Sequence, residues 1–155
     1  MNIVIDIDKI KNYNVFYDDK IENTVIDNSF FMRINYSNNI FILNGIFLKV
    51  DLMIKHTEKY FNKFKYMYDY YPNSNIINKL INLEKNLLNN SLFNNLIKSY
   101  KLSDQLNNLN IRTFDNNNQK VGSNIHEFIL KISGIWLTET HCGLTFKFMA
   151  YKPIS

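Results

Sequence analysis

The sequence contains little cysteine, glycine or histidine. Its single cysteine, Cys142, excludes an internal disulfide and is typical of a reducing compartment. Its four glycines form no phosphate-cradling loop, so the common nucleotide-binding motifs are absent. One cysteine and three scattered histidines do not supply the ligands of a tetrahedral metal site. We therefore expect no metal and no other cofactor.

The chain also lacks a long apolar run. Its most apolar stretch, residues 40–54, is interrupted by Asn44, Gly45, Lys49 and Asp51, so we expect no segment to span a bilayer. The first residues, MNIVIDID, have neither the basic region nor the apolar core of a secretory signal. These features predict a cytoplasmic protein with no membrane partner.

Arginine is scarce, since only Arg33 and Arg112 occur in a chain of net charge +4 and pI near 9.0. Asn, Ile, Lys, Tyr and Phe are abundant and can all be encoded by codons of A and T, which indicates an AT-rich genome. At 155 residues, with 46% hydrophobic and 15% aromatic residues, the chain can form one domain with a sizeable core. The basic balance is compatible with a polyanionic partner.

The charge is distributed unevenly. Residues 1–28 carry six carboxylates against three lysines, a net charge of −3, and the remainder carries +7. We interpret this acidic leader as an N-terminal extension that adds a pair of strands, packs at an edge, or competes with a polyanion for the basic face. Residues 29–155 would then form the main domain.

Alternating apolar and polar residues predict a fold rich in strands. Short strands are expected at residues 3–7 and 13–17. A three-stranded meander is expected at 29–35, 39–43 and 46–54, with the hairpin signal Asn44-Gly45 before its last strand. A further strand is predicted at 60–68, and Pro72 is expected to end this sheet region.

The chain closes with a predicted hairpin of strands at 128–136 and 144–151. The residues that share its apolar face are Phe128, Leu130, Ile132 and Trp136 on the first strand, and Leu144, Phe146 and Phe148 on the second. Gly134 marks a bulge, a bend or a close backbone approach.

The residues between these two groups of strands show the apolar periodicity of helices. A helix is predicted from Ser74 or Asn75 to about residue 89, with a buried stripe that includes Leu80 and Leu87 and with Glu84 at its boundary with solvent. A second helical segment is predicted at 94–106, a brief strand at 111–114 and an exposed loop at 115–124.

This order of elements resembles that of the five-stranded OB barrel, in which a helix follows three meandering strands and precedes two more. We therefore predict a mainly β (α+β), OB-fold-like barrel with helices inserted between strands three and four. The alternative is an α+β sheet with helices on one face.

The late motifs LKISGIW (residues 130–136) and GLTFKF (residues 143–148), with the preceding helix centred on Leu83-Glu84-Lys85, resemble a known family. They are similar to the carboxy-terminal half of small OB-fold single-stranded DNA-binding proteins of large cytoplasmic DNA viruses and virus-like linear plasmids. The resemblance covers the final half of the chain, and its motif is not catalytic. It implies an OB fold and a role in coating single-stranded DNA.

Catalytic groups do not occur in a recognisable arrangement. His56-Thr57-Glu58 matches part of the zinc-deaminase motif, but the accompanying Pro-Cys-x-x-Cys is absent. His141 and Cys142 are adjacent along the chain, so they are not expected to face each other, and no third group orients them. We predict that the protein is not an enzyme.

Single-strand binding needs cations for phosphates and flat rings for bases, and the chain interleaves both. The cations predicted to form one basic surface are Arg33, Lys49, Lys55, Lys59, Lys63, Lys65, Lys131 and Lys147. The predicted stacking rings are Tyr60, Tyr66, Tyr68 and Trp136. Each group has an ordinary alternative role, because lysines also protect sheet edges and Trp136 also suits a core. Six phenylalanines, among them Phe47, are assigned to the core.

The sequence thus favours a non-catalytic single-stranded DNA-binding protein for replication or repair of an AT-rich viral or plasmid element. The alternative is a structural or protein-interaction component of a viral or plasmid replication complex, in contact with replication proteins. RNA is an alternative ligand, because nothing in the sequence distinguishes the 2′-hydroxyl.

Overall fold

The computed structural model of the chain describes residues 4–114 and 124–150. Over these residues the fold is mainly β, with 46% strand and 25% helix, and its larger sheet curls strongly into a half-barrel. The strands are β1 (Val15–Tyr17), β2 (Ile21–Glu22), β3 (Phe30–Ser37), β4 (Ile42–Leu43), β5 (Ile46–Met53), β6 (His56–Tyr60), β7 (Lys63–Met67), β8 (Ile97–Ser99), β9 (Asn110–Thr113), β10 (Ile125–Leu137) and β11 (His141–Ala150). The helices are α1 (Tyr70–Leu88) and α2 (Lys101–Asn107), with 3₁₀ turns at Ile7–Lys9, Asn12–Asn14 and Ser91–Phe93.

The longest strand, β10, organises the larger sheet. Along one edge, residues 125–132 pair antiparallel with β5 and residues 134–137 pair with β3, while the other edge pairs with β11. The short strands β1, β2 and β4 pair with β3, and β8 pairs parallel with β11. The predicted meander is therefore only partly correct, because β5 takes β10 as its partner.

A bulge in β10 changes which side chains face the core. The register with β11 shifts by one residue after Ile132, so the bulge that the glycine indicated is confirmed. The even-numbered residues from Phe128 to Ile132 are buried before the shift, and Ile135 and Leu137 are buried after it. Because one extra residue inverts the alternation, Trp136 lies on the opposite side of the sheet, and its predicted place on the buried face is wrong.

The smaller sheet has the order β6-β7-β9 and closes one side of the core. Where a single strand was predicted at 60–68, Phe61 and Asn62 form a turn between β6 and β7. Tyr66 of β7 contacts Phe128 of β10 edge to face, with ring centroids 4.9 Å apart. The brief strand predicted near residue 111 is confirmed as β9, and of the predicted loop only Asn124 lies within the described residues.

Helix α1 begins earlier than predicted, at Tyr70, so Pro72 lies inside its first turn. Proline is tolerated there because the first backbone N–H groups of a helix have no partner within it. Leu80 and Leu87 are buried as predicted, but Glu84 is fully buried, and its predicted place at the boundary with solvent is wrong. The helical segment predicted at 94–106 is confirmed only in its second half, as α2, whereas residues 97–99 form β8.

The acidic leader packs onto the larger sheet. Ile5 is buried beside Leu48, and its N–H donates to the Phe47 carbonyl at 2.7 Å. Strand β1 extends the sheet at β3, and the Tyr17 hydroxyl donates to the Leu87 carbonyl at 2.8 Å. Residues 4–28 thus belong to the packed structure. Residue 3 of the predicted strand lies outside the described residues, and residues 4–7 form one bridge, at Ile5.

Candidate nucleic-acid interface

One face of the curled sheet carries five of the predicted site residues: Arg33 on β3, Lys49 on β5, Lys131 and Trp136 on β10, and Lys147 on β11. We call this the outer face. Each of these residues alternates with inward-facing residues of the same strand, so all five project away from the core.

Two lysines of the outer face stand directly opposite each other. Lys131 and Lys147 are cross-strand partners, and neither makes an ion pair with the described part of the chain. Like charges at paired positions repel, so the arrangement costs stability unless an anion binds there. Lys49 differs, because its ammonium lies 2.9 Å from Glu127 and 3.8 Å from Asp51.

Aromatic rings lie beside these cations. Phe47 is opposite Lys131, whose Nζ lies 5.6 Å from the Phe47 ring centroid. Phe47 is thus on the outer face, and its assignment to the core is wrong. Phe31 is opposite Trp136 on β3. Neither Phe31 nor Phe47 is among the predicted site residues, although the alternation along their strands is enough to place both on this face.

The two glycines of the hairpin make room for the outer-face rings. A Cβ at Gly143 would lie 2.6 Å from the Trp136 indole, and a Cβ at Gly134 would lie 2.5 Å from the Phe31 ring. Both rings therefore lie directly over backbone. Any larger residue at either position has to displace them.

The leader adds one wall to a groove above these rings. Ile21 pairs with Phe31 through β2, and residues 21–26 and Trp136 line a largely apolar groove of about 650 Å³. Val25 and Ile26 are exposed at this wall. The leader therefore packs both at the sheet edge and beside the outer face.

A second group of predicted residues lies on the smaller sheet. On β7, Lys63 and Lys65 project from the side opposite Tyr66. Tyr60 is the cross-strand partner of Lys63, and Lys65 lies between Glu58 on β6 and Arg112 on β9. We call Tyr60, Lys63, Lys65 and Arg112 the hairpin face. Because Tyr66 reaches across the core to β10, the hairpin face is separate from the outer face. The prediction of one basic surface is wrong.

The remaining predicted site residues contribute less to an accessible nucleic-acid interface. Tyr66 and Tyr68 are each only 2% exposed, so the prediction that they stack on bases is wrong. The Tyr68 hydroxyl donates to the Leu106 carbonyl at 2.9 Å, and burial raises its pKa. Lys55 is paired with Asp69 at 3.3 Å. Lys59 is exposed on β6, opposite Phe64 rather than on the hairpin face.

Two exposed rings that are not among the predicted site residues lie at the end of the β6–β7 hairpin. Phe61 is 82% exposed and contacts the Tyr60 ring edge to face at 4.8 Å. Phe114 is also exposed, and Lys63 Nζ lies 5.2 Å from its ring centroid. The hairpin face therefore combines cations with accessible rings.

The histidine and cysteine pairs do not assemble into a reactive group. His56 Nε2 lies 3.4 Å from Glu58, with both side chains exposed. Cys142 is buried and burial raises the pKa of its thiol, whereas His141 is exposed and bonds Thr140. Across residues 4–114 and 124–150, no three His, Cys, Asp or Glu side chains come together as a metal site. Over the same residues, no helix has the length and apolar character needed to cross a membrane.

Comparison with protein-family models, with curated proteins and with solved structures finds no match to this chain.

Proposed function

We propose that this protein is a non-catalytic, OB-fold-like single-stranded DNA-binding protein that acts in replication or repair of an AT-rich viral or plasmid element. The observation that carries the proposal is the pair Lys131 and Lys147, which lies beside Phe47 on the outer face without an ion-pair partner among the described residues. Trp136 and Phe31 extend the same face along β10 and β3.

This arrangement meets the two requirements of sequence-tolerant single-strand binding. Phosphates are neutralised by cations, and bases stack on rings with about 1 to 3 kcal/mol per base. A curved strand surface supplies both along one path, as in the OB barrel. Duplex DNA hides its base faces within the stack, so rings on an open sheet favour single strands.

Fluorescence anisotropy with a labelled thymidine oligonucleotide of about 16 nucleotides tests this proposal. The single strand should bind more tightly than a duplex of the same length. Trp136→Ala should weaken binding by about 5-fold to 150-fold, which corresponds to the loss of one stacked base.

The double variant Lys131→Gln/Lys147→Gln should lower the slope of log affinity against log salt by about 1.4, because two phosphate contacts are lost. Lys85→Gln, an exposed lysine on α1, is the matched control and should change neither quantity. Equal binding of single strand and duplex, or undetectable binding at low salt, would refute the proposal.

A second candidate is a protein-interaction component of a replication complex. It is favoured by the exposed apolar residues Ile21, Val25 and Ile26 at the groove wall. Lys131→Glu/Lys147→Glu separates the two functions, because charge reversal should abolish oligonucleotide retention and leave capture of a replication protein intact.

A further inference from the structure

A polar cavity of about 510 Å³ lies between α2 and β9. Its lining includes the cations Lys101 and Arg112, the amides of Gln105 and Asn108, and one carboxylate, Asp104. Neither cation makes an ion pair with the described part of the chain. The charged residues leave the cavity with a net charge of +1.

The cavity begins where the outer face ends. One row of cross-strand partners crosses the sheet from β3 to β8, through Phe31, Trp136, Gly143 and Ser99. Three steps between strands span about 14 Å. Ser99 lines the cavity, and Lys101 lines both the cavity and the groove above Trp136.

The other side of the cavity leads to the hairpin face. Arg112 lines the cavity and is the cross-strand partner of Lys65 on β7. One polar cavity thus connects the two surfaces that the fold separates.

We infer that this cavity binds one phosphodiester group, and that a bound strand runs from the outer face through the cavity onto the hairpin face. The inference rests on the proposed function. A guanidinium donates two parallel hydrogen bonds to a phosphate, and an ammonium adds a point charge. The amides are neutral donors, and a net charge of +1 matches the single negative charge of each backbone phosphate.

The end of the hairpin supports this path. Phe61 adopts φ +55°, a left-handed conformation that is unfavourable for a bulky residue, and its ring is 82% exposed. With Tyr60, which is 66% exposed, Phe61 offers rings to bases that have passed the cavity.

Oligonucleotide length distinguishes the contact made in the cavity and on the hairpin face from the contact made on the outer face. Thymidine oligonucleotides of about 3 and about 16 nucleotides are compared by anisotropy. Three stacked nucleotides cover about 10 Å, which is too short to reach from the outer face past Ser99 to the hairpin face, whereas the longer one can do so. Arg112→Gln and Lys101→Gln should each weaken the longer oligonucleotide about tenfold and lower its salt slope by about 0.7. Arg112→Gln should leave the shorter one within about twofold, the spread expected of an unaffected contact. Lys101→Gln should weaken the shorter one as well, because Lys101 also lines the groove above Trp136. Lys85→Gln is again the matched control.

The outcomes distinguish this inference from the proposed function. If Trp136→Ala weakens both lengths while the cavity variants change neither affinity nor salt slope, the path through the cavity is wrong and single-strand binding stands. Equal losses on both lengths for Arg112→Gln would place the cavity inside the contact on the outer face and would overturn the path onto the hairpin face. If the wild-type protein binds neither length, both proposals fail.

Discussion

Replacing Glu84 by alanine should be strongly destabilising, because this buried carboxylate of α1 holds the start of α2. Its Oε2 accepts from the Leu102 N–H at 3.0 Å, and its Oε1 accepts from the Ser103 N–H at 2.8 Å and the Ser103 hydroxyl at 2.6 Å. The first residue of α2, Lys101, lines the polar cavity. Glu84 therefore acts as a positioning residue for that wall.

The magnitude follows from the donors that lose their acceptor. Both backbone N–H groups and the hydroxyl are buried, and an unsatisfied buried donor costs about 1 to 3 kcal/mol. Allowing for partial relaxation, Glu84→Ala should lower the free energy of unfolding by about 3 to 5 kcal/mol. Glu84→Gln keeps one acceptor and should lose about 1 to 3 kcal/mol.

Urea unfolding at neutral pH measures this loss. With a slope of about 2 kcal/mol per molar urea, Glu84→Ala should shift the midpoint down by about 1.5 to 2.5 M. Glu139→Ala removes an exposed carboxylate and should stay within about 0.5 kcal/mol of the wild type. A loss below about 1 kcal/mol for Glu84→Ala, with an unchanged slope, would show that the carboxylate does not hold α2.

Three further predictions follow from the outer face and the hairpin. Burial raises the pKa of Asp51, with Glu127 adding to the rise and Lys49 opposing it. The native state therefore binds the proton of the Asp51 carboxyl more tightly than the unfolded chain does. This contributes folding stability below the unfolded pKa of about 3.9, and the contribution is lost as the pH rises through the pKa of Asp51 in the native state. Asp51→Asn should melt at a higher temperature than wild type at pH 7 and at the same temperature near pH 3, and a lower melting temperature at pH 7 would contradict this. Gly143→Ala places a methyl group 2.6 Å from the Trp136 indole, so it should shift the tryptophan emission and weaken oligonucleotide binding, and unchanged emission would contradict the close approach. Phe61→Asn suits the left-handed conformation and should raise stability in urea by about 0.5 to 1 kcal/mol, whereas a loss would show that the ring packs favourably.

Much of the sheet could be predicted from alternation along single strands. The inward and outward residues of β11, the position of β9 and the bulge near Gly134 all follow from the sequence. The same pattern places Lys131 and Lys147 together on one side of the closing hairpin. These features depend on a period of two residues and on local turn chemistry, which a single sequence displays directly.

The arrangement of the site could not be predicted in this way. The lysines that flank Tyr66 predict an exposed ring, yet the side of β7 that carries Tyr66 faces the core. Glu84 reads as a boundary residue, but the donors that satisfy it come from α2, beyond the turn that follows α1. Residues 97–99 join β11 as a parallel strand in place of a predicted helix, because an edge of the sheet was available to them.

The sequence by itself determined which residues share a side along an unbroken strand such as β11, because the geometry of an extended chain forces alternation. Only the tertiary structure decided which side meets the core, how one bulged residue moves Trp136 outward, and that the predicted cations divide between two surfaces. Those outcomes depend on contacts between segments far apart in the chain, and the energy of such contacts does not appear in any local pattern.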